Sequence, residues 1–328
     1  MILSCSGQRK KDASDFFLKG NVALTQKNYA EAIRLYDEAI AKNPDFSDAY
    51  LNKGISLLKV NRINDAYEVL SKAIQIDPTL LQAILVRSEA GLLSNKLNEA
   101  EQDLNQIRKA YKDSSRYFLI HGNLMQAKGQ SAESLTDYDR AVSLDAGNVE
   151  ALVNRGAIYY QLRSFKDAEK DFSDAIKINP SQPEALNNLG LLAIKEKNWN
   201  KAISYFDLIL NSNPAEPLSL NNKGYALIEK GNLDEAKKLI DRSIDIMPAN
   251  GYAIRNLAIY YQKKGNLKES IKEFKRAIDL AEPVEDLYGL AGIAYSQIGD
   301  ESEACKIWKK GIVLGDFLSN EQFSKNCK

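Results

Sequence analysis

Histidine is almost missing from this chain: His121 is the only one in 328 residues. A Ser-His or Cys-His catalytic set would have that single imidazole to draw on. No C-x-x-C or H-E-x-x-H spacing occurs, which removes the usual zinc and metalloprotease patterns. Three cysteines, Cys5, Cys305 and Cys327, are too few for a disulfide framework. Cys305 and Cys327 either pair in an oxidising compartment or leave Cys305 as a small packing residue. No apolar run approaches the roughly 18 residues of a transmembrane helix. Neither charge is in excess, with 44 Lys+Arg against 44 Asp+Glu, and a nucleic-acid partner normally needs a basic face. No strand pattern precedes a glycine loop, so no phosphate cradle is expected. The chain should therefore have no catalytic residue, no cofactor and no metal ligand.

What is present is repetition. From residue 13 the same residue classes recur every 34 residues, nine times, without an insertion. Position 8 of the frame is small: Gly20, Gly54, Ser88, Gly122, Gly156, Gly190, Gly224, Ala258 and Gly292. Position 20 is alanine or serine, from Ala32 to Ala304, and position 24 is bulky and apolar, from Tyr36 to Trp308. The frames are 13–46, 47–80, 81–114, 115–148, 149–182, 183–216, 217–250, 251–284 and 285–318. A repeat near this length points to helix pairs stacked as a solenoid, which grows by addition and not around one central core.

Residues 149–182 illustrate the unit. Leu152, Gly156 and Tyr159 share one face of a first helix, A, and Ala168, Phe172, Ala175 and Ile176 define the inner face of a second, B. Gly156 and Ala168 are small because the helices should cross there. Asn179-Pro180 ends the unit, since a residue before proline disfavours the helical region. Pro44, Pro78, Pro180, Pro214 and Pro248 all fall at position 32. Pro183 and Pro217 open helix A, where a missing N–H costs nothing. Gly129, Gly231, Gly265 and Gly299 fall in the A-to-B turn.

Some frames drift. Ser88, Ile107 and Lys112 depart from the pattern in 81–114, and Ser131, Ser134 and Ala146 in 115–148, so 81–148 reads either as the softest stretch, with a bend, or as tolerated variation. Frame 285–318 carries Glu301, Trp308 and Gly311 in place of the usual classes and should form a solvated cap with residues 319–328. Ser319 is the expected N-cap of a short final helix carrying Phe323. Residues 1–12 read as a flexible N-terminal segment. Within it, Leu3-Ser4-Cys5 is similar to the end of a bacterial lipoprotein signal, with Cys5 as the residue that would be lipidated. The basic and apolar parts of such a signal are missing from the sequence. A lipid-anchored envelope protein whose start lies upstream, and a cytoplasmic protein, both remain open.

These residues closely resemble the tetratricopeptide repeat family over residues 13–318. The resemblance implies an all-α fold, a right-handed solenoid of antiparallel helix pairs, and a non-catalytic scaffold whose A helices line a concave groove for a partner's peptide. An assembly role, with the solenoid packing into an oligomer or an envelope complex, is the alternative. Frame positions 2, 5, 6, 9, 12 and 13 would face the groove. Position 6 carries Asn154, Asn188, Asn222 and Asn256 in successive repeats, and Asn52 earlier; Asn187 and Asn221 lie beside them, with Tyr160 and Tyr225 for flat contact. An amide donates and accepts at once, so the row is similar to the asparagine ladder of O-GlcNAc transferases and would bond an extended peptide. Asn21 and Asn52 match two positions of the carboxylate clamp that holds chaperone termini. Its basic positions fall on Phe17, Gln82 and Val86, so that function is not expected. Position 7 forms a mostly basic row, Lys19, Lys53, Arg87, His121, Arg155 and Lys223, expected to bury stems and keep heads in water. His121 takes the place of a lysine or arginine there.

Overall fold

The computed structural model describes the backbone of residues 2–327 and the side chains of residues 8–327. Cys5, the expected lipidation site, lies outside the described side chains. Nineteen α-helices and no strand occur among the described residues. The A helices are α1 (Ile2–Thr25), α3 (Ser47–Lys59), α5 (Leu81–Leu93), α7 (Ser115–Ala127), α9 (Val149–Gln161), α11 (Pro183–Lys195), α13 (Pro217–Lys230), α15 (Gly251–Lys263) and α17 (Leu287–Gln297). The B helices are α2 (Tyr29–Lys42), α4 (Ile63–Ile76), α6 (Leu97–Ile107), α8 (Ser131–Leu144), α10 (Phe165–Ile178), α12 (Trp199–Ser212), α14 (Leu233–Ile246), α16 (Leu267–Asp279) and α18 (Glu301–Val313). A last helix, α19 (Phe317–Asn326), follows. The chain divides into two compact units, residues 1–158 and 159–328.

Every B helix begins 34 residues after the one before it, from Tyr29 to Glu301. The turn ahead of each explains the regularity. At position 15 the backbone is left-handed in all nine frames: Lys27, Asn61, Asn95, Arg163 and Lys197 at φ 56–60°, and Gly129, Gly231, Gly265 and Gly299 at φ 75–89°. The next amide then donates back to a carbonyl five residues earlier, as in Asn28 N to Ala23 O at 2.9 Å and Asn232 N to Leu227 O at 2.9 Å. This is the Schellman closure of a helix C-terminus. Asn28, Asn198, Asn266 and Asp300 then cap the B helix by accepting from the third helical amide. Pro183 and Pro217 open α11 and α13, where proline is tolerated.

The small residue at position 8 makes room for the bulky one at position 24 of the same pair. A Cβ on Gly190 would lie 2.5 Å from Phe206 Cζ, and one on Gly54 2.6 Å from Leu70 Cγ. Phe206, Phe172, Leu70 and Tyr36 are fully buried as a result. The expected crossing of position 8 with position 20 is therefore only part of the reason; the alanines at position 20 are also fully buried. In both units A helices pack on the next A helix, as α3 does on α5 and α13 on α15, whereas no B helix packs comparably on the next B helix among the described residues. Closer packing on one side puts the A helices on the inside of each unit's curve.

Three expectations need correction. Residues 8–12 are helical and continuous with α1, supported by Gln8 Nε2 to Asp12 Oδ1 at 2.8 Å and Ser14 Oγ to Lys10 O at 3.0 Å; nothing between them and Ala13 breaks a helix. Ser319 does not cap α19. Asp316 does, accepting from Ser319 N at 2.8 Å, because the turn at Gly315 (φ 78°) ends α18 early enough to free it. α17 starts at Leu287 and not at the frame's 285. The preceding helix α16 stops at Asp279, Glu282 stands at position 32 with Pro283 one residue late, and Ala281 (φ 56°) and Asp286 (φ 58°) are left-handed.

The drifting stretch 81–148 keeps its helices by local satisfaction. Ser88 Oγ donates to Leu85 O at 2.7 Å, Ser134 Oγ bonds Gln126 Oε1 at 3.3 Å, and Ser114 caps α7. Cys305 and Cys327 are disulfide-bonded, with Cα atoms 5.8 Å apart, so α19 is tied to α18.

Candidate functional site

Six of the eight residues expected in the groove line one cavity of about 550 Å³ in the 159–328 unit: Tyr160, Asn187, Asn221, Asn222, Tyr225 and Asn256. The A helices α9, α11, α13 and α15 bring them together from frame positions 5, 6, 9 and 12. Asn154 lies in the 1–158 unit and donates to Asn123 Oδ1 at 2.9 Å. Asn188 points its amide along its own helix, to Glu184 O at 2.9 Å, and does not line the cavity.

The amides do not stand as independent rungs. Asn52, Asn154, Asn222 and Asn256 donate to a carboxamide oxygen on the preceding A helix, and Asn221 to its neighbour on its own helix. Asn256 Nδ2 donates to Asn221 Oδ1 (2.8 Å), Asn221 Nδ2 to Asn222 Oδ1 (3.3 Å), and Asn222 Nδ2 to Asn187 Oδ1 (3.2 Å). In the other unit Asn52 reaches Asn21 Oδ1 at 2.8 Å, which Tyr36 Oη also bonds. The acceptor sits at position 5 of the previous frame in one unit and at position 9 in the other. Asn221 and Asn256 are almost fully buried, so their amides serve the stack first.

The same holds for the row at position 7. Lys53 pairs with Asp37 (2.5 Å), Arg87 with Asp103 (2.6 Å), His121 Nδ1 with Asp137 (2.6 Å), Arg155 with Asp139 (2.9 Å) and Lys223 with Asp207 (2.8 Å). The four Lys and Arg heads are in ion pairs with B-helix carboxylates and not free in water, because a partly covered charge gains from a fixed partner, and His121 is hydrogen-bonded in the same place.

Several cavity residues were not singled out from the sequence: Trp199, Tyr252, Arg255, Glu285 and Asp286. Tyr252 and Arg255 occupy frame positions 2 and 5, both assigned to the groove, so that signal was available. Glu285 and Asp286 come from the displaced loop before α17, marked in the sequence only by the late Pro283. Lys195 at the end of α11 reaches Glu285 at 3.7 Å, joining elements 90 residues apart. Arg255 lies over the rings of Tyr252 (5.1 Å) and Tyr225 (5.8 Å). It donates from Nε (3.2 Å) and Nη2 (3.0 Å) to Asn256 Oδ1, and from Nη1 to Glu285 O (2.6 Å).

Burial shifts several ionisable groups of the lining. Burial, with Glu285 and Tyr252 adding, pushes the Tyr160 phenol up to about 12. Burial raises Tyr225 and also Asp286, against the opposing charge of Arg255. Burial outweighs the nearby Tyr225, Tyr252, Asp286 and Glu285 to hold Arg255 below the usual arginine range. Arg255 still presents surface to the cavity. No helix among the described residues is long and apolar enough to cross a membrane.

Tetratricopeptide repeat family profiles match residues 17–80, 149–182, 218–250 and 256–283. Among curated proteins, the chain is 22% identical over 166 residues to the probable UDP-N-acetylglucosamine–peptide N-acetylglucosaminyltransferase SPINDLY of Hordeum vulgare, covering 48% of this chain and 18% of that one. It is 32% identical over 96 residues to Sperm-associated antigen 1 of Mus musculus, covering 29% of this chain and 10% of the other. The matches thus span less than a fifth of these relatives' length. A solved tetratricopeptide repeat protein from Parabacteroides merdae aligns at TM-score 0.57 and 20% identity, over 86% of this chain and 99% of that one. A chain of the APC/C hetero-tetramer Cut9–Hcn1 aligns at TM-score 0.63 and 13% identity, over 96% and 76%. With the helix pairs in register and profile matches in both units, the chain belongs to the tetratricopeptide repeat family, whose helix-pair arrays are scaffolds for protein–protein interaction.

Proposed function

We propose that the 159–328 unit holds an extended segment of a partner protein in the cavity between its A helices. The observation that carries this reading is convergence: six residues picked from groove positions of four separate repeats meet in one cavity of about 550 Å³. That size suits a few side chains. Tyr160, Trp199, Tyr225 and Tyr252 offer flat apolar surface with polar tips. Asn187 and Asn222, the linked amides that are not fully buried, keep spare capacity, since a carboxamide has two N–H groups and an oxygen with two lone pairs. Prior bonding to one another fixes their orientation, which lowers the entropy lost on binding. Hydrogen bonds net only about 0.5–1.5 kcal/mol each, against an association cost of about 4–15 kcal/mol. Aromatic burial therefore has to supply most of the affinity.

A photo-reactive amino acid tests the location. Placed at Leu218, 46% exposed on the cavity lining, it should capture a partner in cells. Placed at Lys238, exposed on the B helix α14, it should not. Equal capture from both positions, or capture only from Lys238, would move the binding surface off the cavity.

A further inference from the structure

Resting on the reading of the cavity as a peptide groove, one side chain in it has an unused capacity. Four position-7 cations described above, Lys53, Arg87, Arg155 and Lys223, each have a carboxylate partner at 2.5–2.9 Å. Arg255 has no carboxylate oxygen within 4.0 Å among the described residues. All three of its hydrogen bonds end on neutral oxygens, Asn256 Oδ1 and the Glu285 carbonyl. A guanidinium has five N–H donors, so one N–H on each terminal nitrogen remains. Neither carboxylate of the lining forms an ion pair with it. Glu285 pairs instead with Lys195 at 3.7 Å, and Asp286, whose carboxyl is raised by burial, stays beyond 4.0 Å. Lys195, Lys197 and Arg255 face only these two acids across the cavity. A partly buried cation without a carboxylate in hydrogen-bond reach gains from one that a ligand brings, and its rigid fork matches a planar carboxylate.

The groove does not stop at Arg255. A second cavity of about 620 Å³ shares Tyr252, Glu285 and Asp286 with the first and is lined further by Tyr288, Leu314 and Phe317. Leu314 and Phe317 are 65% and 75% exposed. A chain anchored at Arg255 therefore has room on both sides, which favours a side-chain carboxylate over a chain end. We propose that Arg255 anchors the side-chain carboxylate of an Asp or Glu within the bound segment, and that a bulky apolar residue of the same segment fills the adjoining cavity.

Fluorescence anisotropy with the full chain and three labelled dodecapeptide pools tests this. Each pool has bulky apolar residues randomised around a central position. The first has central Glu and blocked ends, the second central Gln and blocked ends, and the third central Gln with a free C-terminal carboxylate. The Glu pool should bind about tenfold tighter than the blocked Gln pool, as a charge-assisted pair allows. In Arg255→Gln that preference should disappear. Arg255→Lys, which keeps the charge and loses the fork, should retain part of it and guards against a folding defect in Arg255→Gln. Equal binding of the two blocked pools overturns the proposal, as does a Glu preference that survives Arg255→Gln or binding by the free-carboxylate pool alone. No binding by any pool strikes at the groove reading itself, which separates the two failures.

Discussion

Four of the nine left-handed residues at position 15 make a graded experiment within one unit. In residues 1–158 the position is filled by Lys27, Asn61, Asn95 and Gly129, at φ 59°, 59°, 59° and 75°. The Schellman bond from the next residue forces this conformation; Asn28 N to Ala23 O and Gln130 N to Met125 O are 2.9 and 2.8 Å. An L-residue in the left-handed region costs about 1–2 kcal/mol, and asparagine tolerates it better than most. Glycine removes that cost but adds about 0.4–1 kcal/mol of unfolded-state freedom. Lys27 is exposed, so Lys27→Gly loses little packing, and the net gain should be about 0.5–1 kcal/mol. Asn61→Gly should be close to neutral. Gly129→Ala should cost about 1 kcal/mol by backbone strain alone, since a Cβ there would meet nothing within 4 Å. A solenoid of this length need not unfold in two states, so native-state hydrogen exchange is the suitable assay. The Asn28 amide should exchange about threefold more slowly in Lys27→Gly if opening is local. If Lys27→Gly is neutral or destabilising, or Asn61→Gly gains as much, relief of left-handed strain is not what sets stability at these turns.

Two further outcomes concern the second unit. Cys327→Ser removes a cross-link closing 22 residues, and chain entropy assigns such a loop roughly 3 kcal/mol; protease sensitivity at α19 should rise, with no such change if α19 docks by packing alone. The Tyr160 phenol, raised by burial to about 12, titrates above its unfolded value near 10. Its stabilising contribution is thus complete below about pH 10 and lost as pH rises toward about 12. Thermal melts at rising alkaline pH should fall more steeply for the wild type than for Tyr160→Phe, and equal slopes would refute the assignment.

Much of this molecule was legible because a solenoid repeats its local rules. Glycine or alanine at position 8 and a bulky residue at position 24 marked the helix crossing, and Pro183 and Pro217 marked helix starts. The cavity was legible only by position: Tyr160, Asn187, Asn221, Asn222, Tyr225 and Asn256 were brought together by the fold in one lining. Asn188 was not, because at the same frame position its amide turns back to Glu184 O and leaves the cavity. Arg255 was overlooked beside Asn256 although it sat at a groove position. The loop before α17 was hidden by a shift of one residue at Pro283.

Sequence by itself determined the helix pairs, their phase and the face each presents, since these depend on turn chemistry and side-chain size within 34 residues. Tertiary structure alone decided what the polar residues do. Whether Asn256 or Lys223 is free or taken depends on the acceptor that a neighbouring helix brings within hydrogen-bond reach. The meeting of Lys195 with Glu285, which closes one wall of the cavity, depends on the accumulated curvature of the helices between them. Distances of that kind are set by packing summed over many contacts, and no local pattern encodes them.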